Sequence, residues 1–274
     1  MNILITGVSG FSGSYLAEFL SKKYKVFGIF RNEKSLFLKK IIKNKRINFI
    51  KTDICNIEQS KLKGLKSIDF VIHVGSTSPS SEIKTFELVY DNLFGIQNLI
   101  NWSIKKKCKK FIFFSSMSAF GEILDEVVDE RTKSISPDVY GQTKIISEKI
   151  LSEVSNKFEN ISLRLPGIVG PDSRRNWISV LRNKLLSNNK IQIYNKEAKF
   201  NNLIHIKDLS FFVENLFSKS FKHNFLLVGS NDQLKIFDIV KILKQLTNSK
   251  SEIEFVSETK KSFLIDSNLA KKKY

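Results

Sequence analysis

Short apolar runs alternate with stretches of helical periodicity through the first 165 residues of this chain. Residues Asn2–Thr6 form an apolar, partly β-branched run that stops at Gly7, which predicts a strand buried on both faces. Phe11, Tyr15, Leu16, Phe19 and Leu20 recur at helical spacing and predict a helix over 11–22. Further strands are predicted at Lys25–Phe30 and Ile47–Lys51, and over 68–73, 110–115 and 161–165. A long helical pattern fills 84–106. Ser136 is predicted to cap another helix, with Pro137 at its first position, running to about 157. Strands alternating with helices imply an α/β fold, a doubly wound parallel sheet covered on both faces.

The rhythm changes after Pro166. Helices are predicted over Trp177–Leu186, 208–219 and 237–246, and strands over 190–194, 203–206 and 225–228. In the last helix Ile239, Ile242, Leu243 and Leu246 share one side. There are no internal repeats and no low-complexity linker. The expectation is a large domain over 1–165 and a lean, smaller α/β portion over 166–274, interleaved with the first.

Composition changes this picture little. The 274 residues are 42% hydrophobic and 26% charged, a folded-protein mixture. The 45 Lys and Arg against 27 Asp and Glu give +18, a field that suits an anionic partner. The basic residues are scattered, as in Lys105, Lys106, Lys107, Lys109, Lys110 and the tail Lys271 to Lys273. No nucleic-acid-binding module is recognisable, so the expected partner is an anionic small molecule and no nucleic acid. Cys55 and Cys108 lie in no metal-ligand spacing, so no metal is expected. No run of about 18 apolar residues and no signal-peptide pattern is present, so no membrane is expected and the location is expected to be cytoplasmic.

The first chemistry lies in T6-G-V-S-G-F-S-G13. A strand, a glycine turn and a helix start present unpaired N–H groups and a positive dipole end to a phosphate. Gly7 permits the tight turn, Gly10 the close approach of a pyrophosphate, and Gly13 close packing of helix on sheet. The second strand ends Phe30-Arg31, where an acid usually holds the ribose 2′-hydroxyl. Arginine there can pair with a 2′-phosphate, so the expected cofactor is NADP, with NAD as the alternative. Asp53 can accept from the adenine amino group or cap the next helix.

The second chemistry lies in Ser115-Ser116 at the end of the fifth strand and in Y140-G-Q-T-K144. Tyr140 and Lys144 are four apart and share a helix face. A Lys ammonium near a phenol favours the phenolate, which makes Tyr140 a candidate proton donor and acceptor. Such a site suits hydride transfer at a carbon bearing an alcohol or carbonyl, with the cofactor carrying the hydride. Glu148, one turn beyond Lys144, is expected in packing or dimer contacts rather than in an ion pair with Lys144.

These pieces resemble the extended short-chain dehydrogenase/reductase family, in its NAD(P)-dependent epimerase/dehydratase group. The matching segments begin with the glycine loop, D53-I54, D69-F-V-I-H73, and N92-L-F-G95 with N98-L-I100. They continue with Ser115-Ser116, Y140-G-Q-T-K144, the run Arg164-Leu165-Pro166-Gly167-Ile168-Val169-Gly170-Pro171, and H205-I-K-D-L209. The resemblance implies a Rossmann-type sheet with a smaller C-terminal substrate domain. It implies a cofactor held by Gly7, Gly10, Phe11, Gly13, Asp53, Ile54 and Lys144, together with Arg31. It implies a catalytic Ser116, Tyr140 and Lys144, with Ser118 the competitor of Ser116. It also implies a homodimer through the helices near 84–106 and 137–157, and a nucleotide-linked sugar as substrate. Where 4,6-dehydratases of the family carry an Asp-Glu pair, this chain has Met117 and Ser118, which argues against that reaction. A family arginine that contacts the nucleotide diphosphate is replaced by Asn201, leaving Arg174 or Arg175 to take over the phosphate. Ser118, Arg174, Arg175 and Asn201 are therefore the candidate substrate contacts. The expected enzyme is an NADP-dependent reductase of a keto-sugar. The alternatives are an NAD-dependent nucleotide-sugar epimerase and a non-catalytic dinucleotide-binding regulatory protein.

Overall fold

The computed structural model describes every residue except 60, 61, 63, 64, 66 and 259, and gives the backbone alone at 58 and 59. The first half runs β1 (Asn2–Thr6), α1 (Phe11–Leu20), β2 (Lys25–Phe30), α2 (Leu36–Ile41), β3 (Ile47–Lys51), β4 (Phe70–His73), α3 (Thr85–Lys105) and β5 (Lys110–Ser116). Next come β6 (Val127–Val128), α4 (Val139–Glu153), β7 (Glu159–Leu165), β8 (Gly167–Val169), α5 (Trp177–Leu186), β9 (Ile191–Ile193), β10 (Lys199–Phe200) and β11 (Leu203–His205). The chain closes with α6 (Ile206–Asn215), β12 (Phe225–Leu227), β13 (Leu234–Lys235), α7 (Ile236–Leu246), β14 (Ile253–Phe255), β15 (Leu264–Ile265) and α8 (Asn268–Lys273).

Seven strands form one parallel sheet in the order β12-β7-β5-β4-β1-β2-β3. Alternate residues of β1 feed the two cores, which is why the whole strand reads as apolar. Ile3 and Ile5 pack with Leu16 and Leu20 of α1 and Leu209 and Val213 of α6. Leu4 packs on the other face with Ile96 and Leu99 of α3 and Leu151 of α4. The order of the sheet reverses between β1 and β4, and the crevice above that point is where such sheets take ligands.

The remainder is built from strand pairs, β8 with β11, β9 with β14, β10 with β13 and β6 with β15. Its own core joins Leu181 and Leu185 of α5 to Ile191, Ile193 and Val240. The chain does not leave the first body at residue 165, because α6 packs on α1 and β12 adds to the edge of the main sheet beside β7. No helix among the described residues is long and apolar enough to cross a membrane.

One helix cap needs correction. Ser136 does not cap the helix after it; it sits at φ +44°. The cap is Asp138, whose carboxylate accepts from the Gly141 N–H at 2.7 Å, so α4 starts at Val139. Ser and Asp are both favoured caps, and Pro137 biases the residue before it away from helical geometry without choosing between them.

Candidate active site

The turn after β1 is built around contacts that no side chain could share. Gly7 has φ +73°, and a Cβ there would lie 2.6 Å from the Gly75 Cα. A Cβ on Gly13 would lie 2.3 Å from the Gly7 carbonyl oxygen, so only glycine lets α1 descend this close to β1. Gly10 is the N-cap of α1 and supplies no side-chain cap, so the helix N-terminus opens towards a cavity. Thr6 ties the neighbouring strand ends together. Its Oγ1 accepts from the Gly75 N–H at 3.1 Å and lies 2.7 Å from His73 Nδ1. Burial pushes His73 down to about 3, so the ring is neutral beside Thr6.

The cavity, of about 1050 Å³, runs from this turn to the ends of β5 and α4. Gly7, Gly10, Phe11, Gly13, Arg31, Asp53 and Ile54 line one end, and Ser116, Tyr140 and Lys144 the other. Arg174 and Arg175 line it from the loop after β8. An uncapped helix start beside a glycine turn fits the pyrophosphate of a dinucleotide. Asp53 accepts from the Cys55 N–H with Oδ1, which caps the following turn, and from Arg31 with Oδ2.

Ser116 Oγ accepts from the Ser118 N–H and donates to the Ser118 hydroxyl, each at 3.1 Å. Ser116 lines the cavity; Ser118 does not, and it serves as the partner that orients Ser116. The neighbouring helix start is set by a glycine that the sequence pattern did not single out. A Cβ on Gly141 would lie 2.1 Å from the Ser118 carbonyl oxygen. Glycine at that position lets α4 press against the Ser116 turn and carries Tyr140 in with it.

Lys144 is wholly buried. Its Nζ donates to the Phe114 carbonyl at 3.0 Å and lies 4.7 Å from the Phe113 ring centroid and 5.3 Å from that of Tyr140. Burial lowers its pKa to about 7, against a partial rise from Glu148. Tyr140 is raised by burial, with the hydroxyls of Ser76 and Ser78 acting to lower it. The lowering of Tyr140 expected from a nearby ammonium does not prevail here, because burial of the phenol sets the direction. Ser76 and Ser78 escaped the sequence reading because they belong to a loop with no periodic signal. Asn92 of α3 anchors that loop, accepting from the Ser76 hydroxyl and the Thr77 N–H and donating to the Thr77 carbonyl.

Two expectations about individual residues, those for Asn201 and Arg31, give way. Asn201 does not reach the cavity. It is buried, donates to the Ile265 carbonyl at 2.8 Å and accepts from the Ile265 N–H at 2.8 Å, so its side chain completes the backbone pairing of β15. Of the two roles expected for Glu148, the structure shows packing: it is buried against Arg164 and Ser115. Arg31 does not stand free for a 2′-phosphate, because its Nη1 donates to both Asp53 (3.2 Å) and Asp91 (3.0 Å). Among the described residues no group of three or more His, Cys, Asp or Glu could hold a metal ion.

Comparison with known proteins bears on the chemistry. A family model described as the NAD dependent epimerase/dehydratase family matches residues 3–220. Human dTDP-D-glucose 4,6-dehydratase is 26% identical over 267 residues, covering 92% of this chain and 76% of that protein. The crystal structure of UDP-glucuronic acid 4-epimerase from Bacillus cereus, in complex with UDP-glucuronic acid and NAD, is 26% identical. It superposes with a TM-score of 0.83 over 100% of this chain and 92% of its own. UDP-glucose 4-epimerase from Thermotoga maritima, at 20% identity and TM-score 0.81, shares the fold over 99% of this chain and 91% of its own. These findings overturn the expected NADP and the expected NADP-dependent keto-sugar reductase. The matching family is NAD-dependent, the Bacillus cereus enzyme holds NAD, and Arg31 is already engaged by two carboxylates.

Proposed function

The chain belongs to the NAD-dependent epimerase/dehydratase family, and on that premise we propose that it is an NAD-dependent epimerase of a nucleotide-linked sugar. The observation that carries this reading is the cavity that joins the glycine turn to Ser116, Tyr140 and Lys144 and continues to Arg174 and Arg175. Gly7, Gly10, Phe11 and Gly13 would hold the pyrophosphate of NAD, Asp53 and Ile54 its adenine, and Lys144 its nicotinamide ribose. When bound, the cofactor supplies a reversible acceptor for the hydride of a sugar carbinol carbon.

Tyr140, entering the cycle as the phenolate, takes the proton of the sugar hydroxyl as that carbon is oxidised and returns it when the carbonyl is reduced from the other face. Ser116, still held by the Ser118 N–H, turns its hydroxyl from Ser118 to donate to the same oxygen. The Lys144 ammonium stabilises the phenolate once Tyr140 has lost its proton. Arg174 and Arg175 are the cations available to the diphosphate of the substrate. A dehydratase reading is disfavoured because Met117 and Ser118, directly after Ser116, supply no acid–base pair for elimination of water.

We also infer a homodimer through α3 and α4. Phe86, Tyr90 and Phe94 stack along α3, with ring centroids 6.1 and 4.8 Å apart, and all three are exposed. Val139 and Ile146 are exposed on α4, which packs against α3. An apolar stripe of this kind fits a second copy of the same helices.

The test is incubation of the purified protein with UDP- and dTDP-linked hexoses and UDP-glucuronic acid, without added reductant, followed by chromatographic resolution of epimers. Epimerisation is expected. Tyr140→Phe is expected to lower turnover by about 100-fold or more while NAD still binds. A 4-keto-6-deoxy product would replace this reading with the dehydratase, and undiminished turnover in Tyr140→Phe would remove Tyr140 from the chemistry.

A further inference from the structure

We propose that Asp91 sets the cofactor preference of this protein by holding Arg31 away from the 2′ position of the adenosine ribose. The inference rests on the reading that the cavity takes a nicotinamide dinucleotide. Arg31 directly follows β2, the position from which a side chain meets that ribose. Taken alone, an arginine there selects a 2′-phosphate. Here its Nη1 donates to Asp53 Oδ2 at 3.2 Å and to Asp91 Oδ2 at 3.0 Å. Asp91 is itself fixed, since the same Oδ2 accepts from the Thr77 hydroxyl at 2.6 Å.

Arg31, Asp53 and Asp91 all line the cavity, and one guanidinium beside two carboxylates leaves a negative cluster. A ribose with a free 2′-hydroxyl offers such a cluster a donor. A 2′-phosphate brings about −1.5 to −2 charges to it and meets a guanidinium whose Nη1 two carboxylates already hold. Asp91 stands on α3, 60 residues from Arg31. It lies outside the strand–turn–helix fingerprint by which dinucleotide preference is ordinarily read.

The test uses the full chain freed of carried-over nucleotide and titrated calorimetrically with NAD⁺ and NADP⁺. The variants are Asp91→Asn, Arg31→Ala and the two combined. Asparagine keeps an acceptor for Thr77 and removes only the charge. The wild type is expected to bind NAD⁺ more tightly, and Asp91→Asn is expected to shift the affinity ratio towards NADP⁺ by about tenfold. The combined variant is expected to lose that gain. Asp53→Asn, which leaves Thr77 and Asp91 in place, is expected to move the ratio in the same direction. A ratio unchanged in Asp91→Asn, a gain that survives Arg31→Ala, or a wild type that prefers NADP⁺ would each overturn the proposal. These are binding measurements, so a shifted ratio without sugar epimerisation would refute the proposed reaction and leave the role of Asp91 standing.

Discussion

Arg164 on β7 donates to both carboxylate oxygens of Glu148 on α4, at 3.0 Å and 2.8 Å, with both side chains almost fully buried. Its guanidinium is sandwiched between the rings of Phe120 (4.4 Å) and Phe225 (3.9 Å), and Ser115 also donates to Glu148. The pair therefore fixes α4, which carries Tyr140 and Lys144, to the ends of β5 and β7. Arg164→Ala leaves a buried carboxylate unpaired and should destabilise the fold by about 3–5 kcal/mol. The double change Arg164→Met with Glu148→Leu should recover most of that loss, since no charge is then stranded. Urea unfolding of the wild type and both variants measures this; a double variant no more stable than Arg164→Ala would contradict it.

Lys144 titrates at about 7 in the folded chain against 10.5 for an ordinary lysine. Between these values the unfolded chain holds a proton that the folded chain has released, so this group makes stability rise with pH across that window. Below about pH 7 both states are protonated and the burial penalty is complete. From pH 7 to pH 9 the contribution should be about 2–3 kcal/mol in the wild type and absent in Lys144→Met. Denaturant unfolding at the two pH values compares the slopes, and equal slopes would show that Lys144 is not the titrating group.

Gly13→Ala places a methyl group 2.3 Å from the Gly7 carbonyl oxygen. The helix start must move away from the turn after β1, at a cost of about 1–3 kcal/mol. NAD binding should fall by about tenfold or more if, as proposed, the displaced N–H groups hold the pyrophosphate. Calorimetric titration beside thermal unfolding separates the two effects, and unchanged binding would place the pyrophosphate elsewhere.

Phe94→Glu puts a charge at the end of the α3 stripe, where the ring is 52% exposed and stacked on Tyr90. If two copies bury this stripe, the variant should run as a monomer in light scattering while its melting temperature, read at low concentration, stays within a few degrees. A wild type that is itself monomeric at micromolar concentration would refute the dimer.

The doubly wound sheet could be read from the sequence because two covered faces force continuous apolar strands, as at Asn2–Thr6 and Lys25–Phe30. Small elements such as α2 and the two-residue strands β6, β10, β13 and β15 carried too few residues for a period to show. The glycine turn and the Tyr140–Lys144 pair were legible because each depends on spacing within a few residues. Their placement on one cavity is a property of the sheet, in which β1 and β5 both flank β4.

The sequence by itself determined the strand–helix rhythm, the phosphate turn and the helical pair, since local backbone geometry dictates which residue types those require. Tertiary structure alone decided what the charged side chains do. Arg31 reads as a phosphate ligand until Asp53 and Asp91, 22 and 60 residues away, arrive beside it. Asn201 reads as a substrate contact until β15 claims its amide, 64 residues on. A charge or an amide acts on whatever lies within a few ångströms of it, and for these residues those neighbours come from distant parts of the chain.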